Sequence, residues 1–386
     1  MHALCTDCAN SKLLKDLISA AKVDGACSVC GATYTSVIPT DNIQFIRAIK
    51  ALIRYYYSEW EYHSKLGGES FEALLSTENR IIRVNPKLDG IEYEEFLLSF
   101  LENLDSDEQV SVITAYGRDI YNYAPFTPIS RGEAAAIQLI QRSLTERNYF
   151  VVESEHAKDF HDLPKYITRT FPAGGGWYRA RVGATRRAAK YPFPPGETQY
   201  YFEPHVGAAI SAPPIALASS GRLNRPGVSF LYLAADADTA IAEIRPHPGD
   251  FVSVAEFTIT KEQRIADLTQ HDLLRFFNSD RELELLEIVI AVENALATAA
   301  PPSNRQLYSL TQFLADIFRT MNFDGIAFRS TVGVGANLVL FEPTAAVWLE
   351  GSSRVVEINR VSYRHSPKAL FDAASKYDRV FDEHKK

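Results

Sequence analysis

Four cysteines stand within the first thirty residues, Cys5, Cys8, Cys27 and Cys30, and the rest of the chain has none. Their spacing is C-x2-C-x18-C-x2-C. A two-residue gap lets both sulfurs of a pair turn toward one metal, and two such pairs about 15–20 residues apart suit a tetrahedral zinc site. Gly31, after the second pair, fits a tight knuckle where a positive φ is useful; the first pair lacks such a glycine. Two disulfides or four free thiols are the alternatives, and iron is the alternative metal. Disulfides fit poorly with a cytoplasmic location, which is the reading of an N-terminus without a charged-then-apolar signal pattern. Four protein ligands leave zinc no open position, so the expected role is support of the fold and not catalysis.

The module ends near Ser36. Helical periodicity follows, with Ile43, Ile46, Ile49, Ile53 and Tyr56 on one face and Asp41 as a candidate cap. Further helical patterns span residues 69–76, 92–104 and 131–148. The stretch Glu153–Gly176 is polar, ends in FPAGGG, and reads as a linker. From Trp177 short β-rich runs appear at 230–234, 251–259, 325–330, 337–341 and 346–350, interrupted by helices over 281–297 and 310–321. The expected fold class is therefore multidomain: a zinc module at 1–36, a helical domain at 37–152, a linker at 153–176, an α+β domain at 177–350 and a charged, partly helical tail at 351–386. The formal net charge of −8 argues against a general nucleic-acid binder, and no apolar run approaches the ~18 residues of a membrane span.

The α+β half carries the chemistry-bearing residues. Arg222 stands in a loop before the run FLYLA, which contains Tyr232, and Glu243 follows on a short helix that Pro246 ends. A carboxylate in a last helical turn is at the unfavourable end of the dipole, a poor place for idle charge. Taken alone, a helix glutamate is more often a solvated surface group. Upstream, Arg179, Arg181, Arg186, Arg187 and Lys190 form a run without an acid. Such a run suits phosphate, or is a plain basic surface strip. Ser330 ends a strand and opens a glycine-containing loop, a place that holds an anion or merely turns the chain.

Taken together, WYRAR, GRLNRPGVSFLYLA, TAIAEIRPH and YSLTQFLADIFRTMNFDGIAFRS…GANLVLF resemble, in order, the RES domain, named for its arginine, glutamate and serine. The resemblance spans Trp177 to Phe341. It places the family's arginines at Arg179 and Arg222, with Arg181 the rival of Arg179, its strand tyrosine at Tyr232, its glutamate at Glu243 and its serine at Ser330. Where many members have tryptophan after the second arginine, this chain has Leu223; a stacking surface is then missing or supplied by Tyr178 or Phe230. The resemblance implies an ADP-ribosyltransferase-like fold and a toxin or defence effector that cleaves the nicotinamide–ribose bond of NAD. The acceptor is inorganic phosphate (a phosphorylase) or water (a glycohydrolase). Alternatives are ADP-ribosyl transfer to a macromolecule, or a zinc-containing RNA- or protein-binding module with an inactive RES domain. In the NAD reading Glu243, Arg222 and Ser330 are catalytic, and Arg179 and Tyr232 bind the dinucleotide.

The cysteine module and helices also resemble the HEPN-related region found ahead of some RES domains. HEPN ribonucleases typically separate an arginine and a histidine by four to six residues. Arg54…His63 and Arg147…His156 each have eight between them, so a ribonuclease role is not expected. The expected partners are NAD and an antitoxin or regulatory protein, with no membrane and no nucleic acid for the RES domain.

Overall fold

The computed structural model describes residues 2–63, 66–77, 80–83, 90–104, 109–110, 125–191, 198–298 and 308–362. Much of the tail expected to be helical, residues 363–386, lies outside them.

The N-terminal module is a three-stranded antiparallel sheet in the order β1 (Ala3–Cys5), β3 (Thr35–Pro39), β2 (Val23–Gly25), with helix α1 (Lys12–Ala21) between the cysteine pairs. Ser11 caps α1 by accepting from the Leu14 amide at 3.1 Å. Gly31 has φ +71°, as the second knuckle requires. The expected boundary at residue 36 falls inside β3, so the cysteine module runs directly into the helices. These are α2 (Ile43–Tyr56), α3 (Glu59–Tyr62), α4 (Phe71–Thr77), α5 (Gly90–Leu101), α6 (Ala135–Glu146), α7 (Tyr149–His156) and α8 (Pro164–Ile167). Asn42, and not Asp41, caps α2, its Oδ1 taking the Gln44 amide at 2.8 Å.

The second half is a nine-stranded sheet. Its elements are β4 (Thr168–Phe171), β5 (Gly174–Val182), β8 (Leu231–Ala234), β9 (Phe251–Ile259), β10 (Gln263–Leu268), β11 (Gly325–Arg329), β12 (Ala336–Leu340), β13 (Ala346–Trp348) and β14 (Arg354–Glu357). The order is β13-β9-β5-β8-β12-β11-β10-β4, with β14 also on β9. A separate ribbon pairs β6 (Thr185–Ala188) with β7 (Tyr200–Glu203). The β10–β11 pair is parallel and the others antiparallel. A parallel pair needs a long crossover, and here α10 (Asp280–Ala297) and α11 (Tyr308–Thr320) supply it. Helix α9 (Ala237–Glu243) lies against β5 and β9.

Strand alternation sends Leu231, Leu233, Leu338, Leu340 and Ala327 to one face and Tyr232, Val339, Ile326 and Phe328 to the other. That second face packs on α10 and α11, and the same buried cluster continues through Phe160, Ile140 and Phe45 to Leu4. The helical region and the sheet thus share one core.

Two further expected boundaries need correction. Residues 153–176 are not a linker: they finish α7, form α8 and β4, and start β5. β4 hydrogen-bonds to β10, so the polar TRTF is an edge strand whose middle residues, Arg169 and Thr170, face water. The sheet likewise does not stop at residue 350, since Arg354–Glu357 pair with Phe251–Val254.

Candidate active site

The sheet opens between β5 and β8. These strands pair at a single position, Tyr178 with Ala234, and then diverge. The carbonyl of Tyr232, which a neighbouring backbone would otherwise satisfy, accepts instead from Arg179 Nη1 at 2.8 Å. Arg179 Nε donates to Ile210 O, also at 2.8 Å. Two carbonyls thus hold the guanidinium in the gap, and a cleft of about 290 Å³ lies beside it, bordered by Tyr178, Arg179, Arg222, Tyr232, Glu243 and Asn337 among others. Burial first, and the Arg181 charge second, lower the Arg179 guanidinium to about 10, which leaves it cationic at neutral pH. Arg181 bonds the Ala209 carbonyl and does not border the cleft, so the geometry favours Arg179 of the two.

Glu243 arrives from α9. Asp236 caps that helix, taking the Thr239 amide at 2.7 Å, and Ile244 ends it in a turn. Ser330 Oγ donates to Glu243 Oε1 at 2.7 Å, and Asn337 Nδ2 donates to the same oxygen at 2.6 Å. The Gly333 and Val332 amides donate to Ser330 Oγ at 2.8 and 3.2 Å, which commits its own proton to the carboxylate. Both side chains holding Glu243 are neutral, so its charge remains for a ligand, and Oε2 takes neither of these bonds.

Arg222 starts from the loop before β8. Its guanidinium donates to Leu296 O in the last turn of α10, where a helix dipole favours a cation. The loop is fastened by Asn224, whose Nδ2 donates to Ser219 O at 2.9 Å and Val228 O at 2.8 Å. Tyr232 borders the cleft with its ring, while its hydroxyl donates to Asn224 Oδ1 at 2.8 Å and accepts from the Leu223 amide at 3.1 Å. Burial pushes that phenol up to about 12.

The residues expected from the sequence, Arg179, Arg222, Tyr232, Glu243 and Ser330, therefore converge. Asn337 and Asn224 are additions. Each lies within a quoted motif, GANLVLF or GRLN, but nothing local marks an asparagine as the one that grips a carboxylate or a loop. Leu223 is buried in the core and offers no stacking face, and Phe230 is buried against Phe341 at 5.0 Å. Of the two expected substitutes Tyr178 is the one that borders the cleft, together with Tyr232 and Phe328. The distal basic run is partly neutralised on the ribbon: Arg187 pairs with Glu203 at 3.0 Å and Arg186 stacks on Tyr200 at 3.5 Å.

Residues 197–356 match the family model of the RES domain. The chain carries a RES domain. The match starts after β5, so Arg179 lies outside the matched residues while sharing the RES sheet and cleft. The solved M. tuberculosis MbcT-MbcA toxin-antitoxin complex is similar at 14% identity over 49% of this chain and 87% of that one, with a TM-score of 0.29. No curated protein matches the chain.

Ahead of the RES domain, the four cysteine sulfurs lie within 4.8 Å of one another, with Cys5 and Cys30 3.7 Å apart. A tetrahedron of ~2.3 Å metal–sulfur bonds has edges of about 3.8 Å, whereas a disulfide needs about 2.05 Å. The Cys5 amide also donates to Cys27 Sγ at 3.4 Å. The cluster can hold a metal ion with four protein ligands. Of the two arginine–histidine pairs, Arg147 forks onto Glu155 and His156 bonds Asp159, while Arg54 is buried over Phe126.

Proposed function

We propose that the RES cleft cleaves the nicotinamide–ribose bond of NAD, as a toxin or defence effector. The observation that carries this reading is Glu243, an ionisable carboxylate fixed by two neutral donors in a cleft that also presents Arg179 and Arg222. The cleft is at the small end of ligand-sized cavities, roughly 300–1,000 Å³, and suits the nicotinamide–ribose half of the dinucleotide.

In this reading the bond between ribose C1′ and the pyridinium nitrogen breaks. Nicotinamide leaves neutral with the bonding pair, so no strong general acid is needed. The positive charge that develops at C1′ faces Glu243 Oε2, a preorganised counter-charge. Ser330 and Asn337 hold the carboxylate by its other oxygen, Oε1. Arg179 and Arg222 hold the pyrophosphate oxygens or an incoming inorganic phosphate, and Tyr178 and Tyr232 pack on the rings. An oxygen of phosphate or water then bonds C1′, giving a phosphorylated ADP-ribose, or ADP-ribose with release of a proton. The cysteine cluster holds structural zinc through Cys5, Cys8, Cys27 and Cys30, which contributes to folding and not to this step.

The test is NAD consumption by wild type and Glu243→Ala with and without inorganic phosphate. Loss with wild type only, and faster with phosphate, supports phosphorolysis; loss independent of phosphate supports hydrolysis. NAD-dependent labelling of a protein would instead point to a transferase. Folded, zinc-loaded wild type that leaves NAD untouched sinks the reading.

A further inference from the structure

Arg225 lies three residues after Arg222 and does not border the cleft. Its guanidinium lies over the Tyr149 ring at 3.4 Å from the centroid, 2.9 Å from Asp316 Oδ2 on α11 and 3.8 Å from Glu153 Oε2 on α7. Tyr149 OH donates to the same Asp316 oxygen at 3.3 Å. We infer that Arg225 is a positioning residue for Arg222, and that α7, outside the matched RES residues, is part of the framework of the active site.

Its side chain is 26% exposed, so these contacts are not those of a fully solvated surface pair. A flat stack on an aromatic ring combined with two carboxylates suits a planar, delocalised cation, and lysine is a poor substitute. Without it Asp316 and Glu153 would face one another with only Arg319, 3.5 Å from Asp316 Oδ1, to offset their charge. Burial and Asp316 already raise Glu153, and Arg225 opposes that rise. The tie between α7 and α11 would then be weakened.

The loop feels this directly. Its near side hangs on α11, because Gln312 Nε2 donates to Gly221 O at 2.8 Å and to Asn224 O at 3.1 Å, and Thr311 Oγ1 donates to Arg222 O. Its far side is tied by Arg225 to both α11 and α7. Arg222 sits between the two ties, and its reach to Leu296 O depends on both.

The kinetic arm of the test rests on the NAD reading; the second arm does not. KM and kcat for NAD are measured for wild type, Arg225→Gln, Arg225→Lys, Arg222→Gln and the double variant R222Q/R225Q. Arg225→Gln should raise KM roughly tenfold, the scale of one charge-assisted contact, with kcat within about threefold. Arg225→Lys should restore little. The double variant should be no worse than Arg222→Gln alone, because a residue acting through Arg222 has nothing left to position. Additive effects, or a wild-type KM in folded Arg225→Gln, overturn the inference. In the second arm, amide exchange over residues 219–228 should rise in Arg225→Gln and in Tyr149→Leu, with β9 unchanged. If wild type does not consume NAD, that reading fails and the exchange result still decides the tether: unchanged exchange refutes it. If Arg225→Gln does not fold, Tyr149→Leu carries both arms.

Discussion

Glu243 depends on Ser330 and Asn337 for its aim, and the three should separate in mutagenesis. Glu243→Gln keeps the shape and removes the charge, so kcat should fall roughly 100-fold or more with little change in melting temperature. Ser330→Ala and Asn337→Ala each remove one bond to Oε1 and should cost roughly tenfold in kcat. Equal, near-zero effects of all three on NAD turnover would show that the carboxylate does no chemistry. Arg179 makes a prediction about pH. Its lowered value of about 10 means that the cation is intact at pH 7–9 and is lost as pH rises through about 10, well before an ordinary arginine would titrate. The Tyr232 phenol, raised to about 12, stays neutral over that rise. NAD affinity should therefore weaken above pH 10 while the fold persists, measured as KM against pH with circular dichroism in parallel. A flat KM to pH 11 would overturn this link between the Arg179 charge and NAD affinity. Arg179, Glu243 and Ser330 were legible as residue types in motifs. The grip of Asn337 on Glu243 was not, because it joins positions 94 residues apart through the pairing of β12 with β8.

At the level of elements, α9 and the loop between Ser330 and Ala336 form one unit. Thr239 Oγ1 accepts from the Gly335 amide at 3.0 Å and donates to Asp236 Oδ2 at 2.8 Å. A Cβ on Gly335 would lie 2.2 Å from Asp236 Oδ2 and 2.8 Å from Thr239 Oγ1, so the loop approaches the cap as only glycine allows. Gly335→Ala should cost roughly 1–3 kcal/mol by forced displacement and lower kcat through Ser330. Asp236→Ala should cost about 1 kcal/mol as a lost cap. Thermal melts and NAD turnover check both, and a Gly335→Ala protein with wild-type stability and rate would refute the coupling. The strands β9, β11, β12 and β13 and the helices α10 and α11 were legible from period and run length. The edge strands β4 and β14 were not: TRTF and RVVE are short, and half of each faces solvent, so their strand character comes from the partner.

At the scale of the whole molecule, the described residues of both halves share a core that runs from Leu4 through Phe45 and Phe313 to Val339. Thermal unfolding of the metal-loaded protein should accordingly show one main transition, and stripping metal from the cysteine cluster should lower its midpoint. A chain cut to residues 177–350 would lose β4, β14 and the N-terminal helices whose Phe45, Ile140 and Phe160 complete the shared core, so it should be insoluble or melt without cooperativity, read by solubility and calorimetry. A soluble, cooperatively folding 177–350 fragment would show instead that the RES half stands alone. The sequence by itself determined the cysteine cluster, the central strands and crossover helices, and the arginine, tyrosine, glutamate and serine that meet at the cleft. The cluster, strands and helices are set by spacing and period, which are local properties of the chain, and the four site residues by the resemblance of their motifs to the RES domain. Only the tertiary structure decided that the expected linker is helix and edge strand, that Arg179 rather than Arg181 borders the cleft, and that Arg225 reaches back to α7. Each depends on which distant groups a side chain meets once strands diverge and helices pack, and local spacing does not encode those meetings.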